Sequence, residues 1–323
     1  MSYYALLIIF TLILAITAVI ESRLVPLLSA RARQPIYEDG PSWHIKKSGT
    51  PTMGGLAFVI SISAVLTFYA IFLIHSRRET ESGLNILITV IFAIANSAVG
   101  VFDDIMKLYR KKNAGLTPMQ KLGLQAIISV IFLMARQHFL SDGTMIDFLF
   151  GDVDLGIFYY PACIFLLLGI INCANLTDGI DGLATSVAIA IGVAFILLAA
   201  PNLSAAIFIS ASLIGGAIAF LYFNSHPARI FMGDTGSLFL GALTVGIAFT
   251  INKPLSIIPM GAVYVIEGIS VILQVISFKL TGRRIFKMAP LHHHLEKCGI
   301  DENRICVLAV ILTAVASCLV IFF

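Results

Sequence analysis

Charged residues are scarce in this sequence. Asp, Glu, Lys and Arg make up 12% of its 323 residues, whereas apolar residues make up 59%. A soluble domain carries about one quarter charged residues and about half apolar ones. The composition therefore excludes an ordinary soluble protein and indicates a protein that resides in a membrane.

Paired cysteines, repeats and a cleavable leader are also missing. The five cysteines are odd in number, lie in or near apolar segments and include no Cys-X-X-Cys pair, so we expect neither a disulfide framework nor a zinc site. The sequence has no internal repeat and no low-complexity tract. No positive charge precedes the first apolar segment and Arg23 follows it, so we do not expect a cleaved signal peptide.

Long apolar segments are what the sequence has instead. A helix needs about 20 mainly apolar residues to cross a bilayer. We therefore predict an all-α polytopic membrane protein with about ten transmembrane helices, forming a single integral membrane domain over residues 1–323. The ten candidate segments are 3–20, 54–74, 84–102, 121–135, 157–172, 183–200, 203–223, 236–251, 255–278 and 305–323.

Lysine and arginine are divided unequally between alternate loops. With the N-terminus outside, 17 of the 21 basic residues fall in inner connections and 4 in outer ones, and the positive-inside rule then places both termini outside. The inner connections are 21–53, 103–120, 173–182, 224–235 and 279–304. In the outer connection 136–156, Gly151-Asp152 stands between two apolar runs, which predicts a small β-hairpin with its turn at those two residues.

Five aspartates stand where predicted inner loops meet apolar segments: Asp103, Asp104, Asp178, Asp181 and Asp234. A lone carboxylate in hydrocarbon costs several kcal/mol, so acids at this depth need a partner, a cation or water. Asp103 and Asp104 have two open interpretations. They reach different groups around one cavity, or they form an interfacial pair neutralised by the basic residues that follow.

The segment 172–182 reads Asn-Cys-Ala-Asn-Leu-Thr-Asp-Gly-Ile-Asp-Gly. We expect Asp178 and Asp181, three apart, to share a helix face, with Thr177 or Asp178 as the N-cap. The glycine after each aspartate permits close approach of the backbone. Capping explains one acid but not two asparagines and two aspartates in so short a connection, so we favour a functional role.

Two glycine-containing stretches are suited to phosphate. Gly233-Asp-Thr-Gly-Ser237 precedes an apolar segment, where backbone N–H groups favour anions and Asp234 could hold Mg²⁺. The alternative there is an ordinary helix start capped by Asp234 or Thr235. The loop 46–55 combines lysines, hydroxyls and glycines, and is either a phosphate contact or a basic loop that flanks the membrane.

Three consecutive histidines, His292, His293 and His294, occupy the last inner connection. Consecutive residues of a regular helix cannot all face one metal, so we favour phosphate contact or proton transfer over a zinc site. Glu267 and Gln274 lie seven residues apart in an apolar segment, and we expect both to face the interior of the bundle.

Five motifs, in order along nearly the whole chain, resemble the polyprenyl-phosphate N-acetylhexosamine-1-phosphate transferases. They are Lys47–Gly55 (KSGTPTMGG), Phe102–Asp104 (FDD), Asn175–Leu183 (NLTDGIDGL), Phe231–Ser237 (FMGDTGS) and Met288–Glu296 (MAPLHHHLE). The first and last are similar to one branch of that family, whose members transfer phospho-N-acetylmuramoyl-pentapeptide.

The resemblance implies a ten-helix enzyme of the bacterial cytoplasmic membrane with its active site in a cytoplasmic cleft. Its substrates would be UDP-N-acetylmuramoyl-pentapeptide and undecaprenyl phosphate, its products lipid I and UMP for peptidoglycan synthesis, and its cofactor Mg²⁺. A homodimer is compatible with the resemblance, and no nucleic acid is expected as a partner.

The resemblance also implies roles for individual residues. Asp234 would bind the metal, and the catalytic set would comprise Asp103, Asp104, Asp234, His292, His293 and His294. Lys47, Asp181 and Phe231 would surround the uracil. The remaining substrate-binding residues would be Thr52, Lys107, Asn175, Asp178, Asn224 and Gln274.

The sequence is also compatible with other functions and with a second reaction route. A sibling enzyme would transfer N-acetylglucosamine-1-phosphate, although the Ala-Pro-Leu-His-His-His segment argues against it. A divalent-cation or proton-coupled transporter would need acids near the bilayer midplane, where only Glu267 fits. For the reaction we favour a single displacement, and a two-step route through an aspartyl intermediate is also open.

Overall fold

The computed structural model describes residues 2–31, 49–77, 79–110, 115–148, 151–200 and 204–322. Most of the described residues are helical. The helices are α1 Tyr3–Arg31, α2 Leu56–His75, α3 Thr80–Arg110, α4 Pro118–Leu140, α5 Tyr159–Thr177, α6 Leu183–Ala199, α7 Ala205–Asn224, α8 Gly233–Thr250, α9 Ile257–Met260, α10 Ala262–Thr281, α11 Leu291–Lys297 and α12 Glu302–Ile321. The strands are β1 Met145–Phe148 and β2 Gly151–Asp154.

Within these ranges, eight helices are long and apolar enough to cross a membrane, namely α1–α5, α7, α10 and α12. Helix α6 is apolar but has 17 residues, and α8 has 18 residues whose side chains are mostly buried. The prediction of an all-α polytopic membrane protein is confirmed. The count of ten spans and the placement of the termini stay predictions.

Most predicted segments differ from the observed helices in their bounds, and three of them show how. The fourth and fifth, predicted as 121–135 and 157–172, belong to the longer helices α4 and α5, of 23 and 19 residues. The ninth, predicted as one segment over 255–278, is divided into a 3₁₀ turn at Pro254–Ser256, the short helix α9 and then α10. Prolines 254 and 259 stand in first turns, where a missing N–H costs little, so they mark new helix starts.

The predicted β-hairpin is confirmed, but its turn was misplaced. Strands β1 and β2 pair antiparallel, with Met145 opposite Asp154 and Phe148 opposite Gly151. Gly151 and Asp152, which were predicted as the turn, therefore lie in the second strand. The chain after β2 continues as a 3₁₀ turn at Gly156–Phe158 and then as α5, since strand pairing ends at Asp154.

Helix α8 contacts its neighbours through glycines at the end that begins with Gly233. A Cβ added to Gly100 of α3 would lie 2.2 Å from the carbonyl oxygen of Asp234, and one added to Gly55 would lie 2.3 Å from the Cα of Gly236. Such distances exclude any side chain. Glycine therefore lets the backbones of α3 and of the loop before α2 touch α8 directly where Asp234 stands.

A buried arginine ties the helices together at the opposite end of α8. Arg136, only 2% exposed, donates from Nε to Asp142 Oδ2 at 2.6 Å, from Nη1 to Asn85 Oδ1 at 3.0 Å and from Nη2 to the Phe249 carbonyl at 2.7 Å. A buried guanidinium is tolerated only when it is paired in this way. Arg136 thus joins α3, α4 and the last turn of α8.

Candidate active site

Three carboxylates converge where α3 meets the first turn of α8. Asp103 and Asp104 lie on α3 and are buried, and Asp234 lies on α8 and is partly exposed. One oxygen from each lies within 4.8 Å of the others. The two motifs, 130 residues apart in sequence, therefore form one acidic site.

Asp104 caps α8 from the neighbouring helix. Its Oδ1 accepts a hydrogen bond from Asp234 N at 3.2 Å, and its Oδ2 accepts from Thr235 N at 2.9 Å and from Thr235 Oγ1 at 2.7 Å. Met232, at the N-cap position of α8, provides no side-chain cap. The alternative of an ordinary helix start capped by Asp234 or Thr235 was wrong, because an acid from α3 binds these N–H groups.

Two lysines bridge the other two acids. Lys107 Nζ lies 2.6 Å from Asp103 Oδ2 and 3.1 Å from Asp234 Oδ2. Lys121 Nζ lies 3.1 Å from Asp103 Oδ2 and also contacts Asp234 Oδ2. The carboxylate of Asp103 additionally accepts from Leu116 N at 2.7 Å. Charge pairing of this kind is what allows carboxylates to be buried.

Lys121 was not among the predicted site residues. It was treated as one basic residue at the start of an apolar segment, and its place in the first turn of α4 is the only local signal it gives. Its partners Asp103 and Asp234 lie 18 and 113 positions away, so only the packing of α4 against α3 identifies its role.

The three carboxylates fit a hard divalent cation. Their oxygens are the ligand type that Mg²⁺ prefers, and Mg²⁺ in proteins is commonly held by one or two carboxylates together with substrate phosphates. Three acids face two lysines here, which leaves one formal negative charge. The donor set is therefore suited to Mg²⁺, with Asp234 placed between the other two acids and the cleft.

Thr52 and Asn175, both predicted to bind substrate, adjoin Asp234. Asn175 Nδ2 donates to Asp234 Oδ1 at 3.1 Å and to Ser237 Oγ at 2.6 Å. Thr52 is buried and lies against Gly233, where an added Cβ would come 3.0 Å from the Thr52 hydroxyl. The loop before α2 and the end of α5 thus contribute directly to the surroundings of Asp234.

The segment around Asp178 is a turn, so the expectation of a shared helix face was wrong. Helix α5 ends at Thr177, and α6 begins after Gly182, whose φ is 77°. Glycine accepts this left-handed conformation at little cost, which explains why the chain changes direction there. Neither Thr177 nor Asp178 is an N-cap, since Gly182 holds that position.

Asp178 nevertheless belongs to the same cleft. Burial raises the pKa of Asp178 well above its usual range, and the negative charges of Asp234, Asp104 and Asp181 raise it further. Repulsion between carboxylates that lie near one another disfavours the charged form in this way.

Phe231, predicted to lie beside the uracil, and Asn224, predicted to bind substrate, both join neighbouring loops. Phe231 N donates to the Pro51 carbonyl at 2.8 Å, and Gly54 N donates to the Phe231 carbonyl at 2.9 Å. Asn224 Oδ1 accepts from Gly182 N at 3.1 Å, and its Nδ2 donates to the Ile230 carbonyl at 3.0 Å. These contacts hold the loops after α5 and α7 together. Lys47, predicted for the same subsite, lies outside the described residues.

The three histidines on α11 turn to three different partners. His292 is fully buried, and its ring Nδ1 lies 3.2 Å from Glu267 Oε2. The backbone N–H of His292 donates to Glu267 Oε1 at 3.1 Å. His293 Nδ1 lies 2.6 Å from Glu296 Oε2. His294 Nδ1 accepts from Lys287 N at 3.1 Å. The ring of His292 lies beside the turn that carries Asp178.

Gly179 is what lets His292 reach that turn. A Cβ added to Gly179 would lie 2.1 Å from His292 Nε2, so the ring rests directly on the backbone next to Asp178. On the other side of the ring stands the buried carboxylate of Glu267, which confirms that Glu267 faces the interior of the bundle. Gln274 accepts from Ile285 N and Phe286 N, both at 3.0 Å, and so anchors the loop before α11; its role in substrate binding stays a prediction.

Comparison with known proteins decides the family. Residues 85–252 match the model of glycosyl transferase family 4, and residues 47–59 match signature 1 of phospho-N-acetylmuramoyl-pentapeptide-transferase. The protein of that name from Clostridium perfringens (strain SM101 / Type A) is 42% identical over 304 residues, which cover 93% of this chain and 91% of the relative. Its counterpart from Halalkalibacterium halodurans is 42% identical over 302 residues, covering 92% and 91%.

The chain belongs to the phospho-N-acetylmuramoyl-pentapeptide-transferase family. It is therefore a phosphoglycosyl transferase, and the resemblance drawn from the five motifs is confirmed. The range that matches the glycosyl transferase model includes all five aspartates of the cleft, whereas the histidines of α11 and the whole of α12 lie beyond it.

Proposed function

We propose that this phosphoglycosyl transferase moves phospho-N-acetylmuramoyl-pentapeptide from its UDP carrier to undecaprenyl phosphate, which yields lipid I and UMP for peptidoglycan synthesis. The observation that carries the proposal is the meeting of three carboxylates and two lysines at one end of an apolar helix bundle. A phosphate on a polyprenyl chain must stay at the membrane surface to meet a water-soluble nucleotide, and the site lies where such a meeting can occur.

Asp234, with Asp103 and Asp104 beside it, would hold Mg²⁺. When bound, the ion would offset negative charge on the pyrophosphate of the UDP-sugar. Thr52, Asn175 and Asp178, which adjoin this position, would line the nucleoside-diphosphate cleft. Asp181, Asn224, Phe231 and Lys47 would form its nucleoside end.

The reaction would be a single displacement. An oxygen of the lipid phosphate attacks the β-phosphorus of the UDP-sugar, and the bond from that phosphorus to the bridging oxygen breaks, so UMP leaves with the bridging oxygen. Lys107 and Lys121 would exchange their carboxylate partners for phosphate oxygens. Asp103 would take the proton of the lipid phosphate only after that exchange, because both lysines pair with it beforehand.

The sugar and peptide would extend toward α11, where His292 lies on Gly179 beside Asp178. His293 and His294 follow it on α11, and Gln274 lies on α10. The cleft would face the cytoplasm, an orientation that the 17 basic residues of the predicted inner loops support. Cys298, exposed just after α11, would react with an impermeant maleimide in inverted vesicles and not in sealed right-side-out ones.

Turnover by the purified protein in detergent tests the reaction. With Mg²⁺ and undecaprenyl phosphate, we expect UMP release from UDP-N-acetylmuramoyl-pentapeptide and little from UDP-N-acetylglucosamine. Asp234→Asn should abolish release, whereas Asp152→Asn, on the exposed outer strand β2, should leave it unchanged. Turnover of UDP-N-acetylglucosamine alone would contradict the substrate assignment.

The order of steps has its own test. A single displacement releases no UMP until the lipid acceptor is present. A stoichiometric burst of UMP from the parent protein without acceptor, lost in Asp103→Asn, would contradict a single displacement and support an aspartyl intermediate.

A further inference from the structure

A second cluster joins Asp181 to two residues, His226 and Glu302, that none of the five motifs contains. Asp181 stands in the turn after α5, His226 follows α7, and Glu302 is the first residue of α12. One ligand atom from each lies within 4.8 Å of the others. His226 Nδ1 is 3.0 Å from Asp181 Oδ2 and 3.5 Å from Glu302 Oε1, so one imidazole stands between two carboxylates.

Asp181 is held by its side chain and by its backbone. Ala228 N donates to the same Oδ2 at 3.0 Å, which places two donors of the loop after α7 on one carboxylate oxygen. Asp181 N donates to Glu302 Oε2 at 2.8 Å, and Cys306 Sγ donates to the Asp181 carbonyl at 3.4 Å. The loop and α12 therefore fix this residue from opposite sides.

The two carboxylates of the cluster are buried, whereas the histidine is exposed. Asp181 and Glu302 are 4% and 9% exposed, whereas the side chain of His226 is 42% exposed. A buried carboxylate is costly unless its partners are fixed, and here the exposed histidine covers the acid on the solvent side. The hydrogen bonds within the cluster account for its arrangement without a metal.

We infer that His226 and Glu302 are positioning residues, which hold Asp181 in the orientation that selects a uracil nucleotide. The inference rests on the proposed function, in which Asp181 faces the base. Uracil carries an N–H at position 3, whereas cytosine has a bare acceptor nitrogen there. A carboxylate only accepts hydrogen bonds, so a fixed Asp181 favours uracil and opposes cytosine.

Selectivity depends on the carboxylate being fixed. A carboxylate that can rotate away loses its hydrogen bond to the uracil N–H, so the preference for UMP over CMP falls. Specificity of this kind arises from buried polar groups that the wrong ligand leaves unpaired. Loss of His226 or Glu302 should therefore weaken recognition of the base more than binding of the phosphates. In the proposed function, the phosphates bind at the acidic site on α3 and α8.

The test compares UMP and CMP binding to the full-length protein in detergent with Mg²⁺, by titration calorimetry. For His226→Ala and Glu302→Ala we expect the UMP Kd to rise about tenfold and the CMP Kd to change little, a loss of about 1.4 kcal/mol of selectivity. Asn can place a donor where His226 Nδ1 stands, so His226→Asn should restore most of the preference. Asn303→Ala, at the exposed neighbour of Glu302, is the matched control and should behave as the parent protein.

Steady-state kinetics separates positioning from general damage. We expect KM for the UDP-sugar to rise about tenfold, with KM for undecaprenyl phosphate unchanged and kcat altered less than about threefold. If the alanine variants do not fold, His226→Leu and Glu302→Met, which fill the space and form no hydrogen bond, provide the same comparison.

Each result has a distinct meaning. Unchanged selectivity in folded variants, or equal weakening of UMP and CMP, would overturn the positioning role while leaving the proposed function intact. A parent protein that binds neither nucleotide and releases no UMP would overturn the proposed function, and the inference with it.

Discussion

Replacing Asp104 separates its structural role from its chemical one. Its carboxylate accepts three hydrogen bonds from the first turn of α8. Hydrogen bonds to a charged group contribute about 1.5–3 kcal/mol each, and a negative charge at a helix N-terminus adds about 0.5–2 kcal/mol. In Asp104→Asn, one oxygen becomes an NH₂ group that faces a donor, and the other two bonds lose their ionic character.

The expected loss is smaller than the sum of those contributions. Removing the negative charge also relieves repulsion from the neighbouring Asp103 and Asp234, which offsets part of the damage. We expect Asp104→Asn to lower the free energy of unfolding by about 3 kcal/mol. For a chain of 323 residues this corresponds to a midpoint lower by about 4 °C. Activity should fall as well, since Asp104 holds the turn that carries Asp234.

Thermal unfolding in detergent measures the effect, with a thiol-reactive dye that labels the buried Cys163 when the bundle opens. Thr235→Val removes only the hydroxyl donor and should cost about 1 kcal/mol. Asp152→Asn, on the exposed strand β2, should leave the midpoint unchanged. An Asp104→Asn protein as stable as the parent would refute the cap.

Three further changes test the packing and the electrostatics. Gly100→Ala should prevent folding or abolish activity, because its Cβ would lie 2.2 Å from the Asp234 carbonyl oxygen. In the control Gly123→Ala the added Cβ meets nothing within 4 Å, so protein yield and turnover should not change. Arg136→Met leaves Arg136's buried partners unpaired and should cost about 3–5 kcal/mol, measured by thermal unfolding, while UMP release at low temperature persists. Because burial raises the pKa of Asp178, its charged form opposes folding above the unfolded pKa of about 4. Asp178→Asn should therefore raise the unfolding midpoint near about pH 8, and the gain should vanish near about pH 4; the same gain at both values would contradict this explanation.

Local sequence patterns were sufficient to predict that the long helices and the hairpin exist. Apolar length predicted the long helices, and the Gly-Asp pair predicted the hairpin, because both signals depend on residues close in sequence. Boundaries were less accurate. Gly151 and Asp152 lie in strand β2 and not in a turn, and Pro254 and Pro259 divide what was predicted as one segment. Turns depend on pairing and packing partners that a short window of sequence does not contain.

The candidate site was only partly predictable for the same reason. Asp103, Asp104 and Asp234 could be recognised by their placement and their motifs, since acids at the edge of apolar segments are costly. The separate role of each acid could not be predicted. Asp104 caps α8, and Lys121 bridges two acids, and neither fact has a local signature.

The sequence by itself determined that this chain is a polytopic membrane protein of a phosphoglycosyl transferase family, with its acids near helix ends. Composition and motifs carry that information because hydrophobic length and residue type are properties of the chain before it folds. Only the tertiary structure decided which acids share a site, which one caps a helix, and that His226 and Glu302 hold Asp181. Hydrogen bonds and ion pairs act over about 3 Å, and it is helix packing that brings residues more than 100 positions apart to that distance.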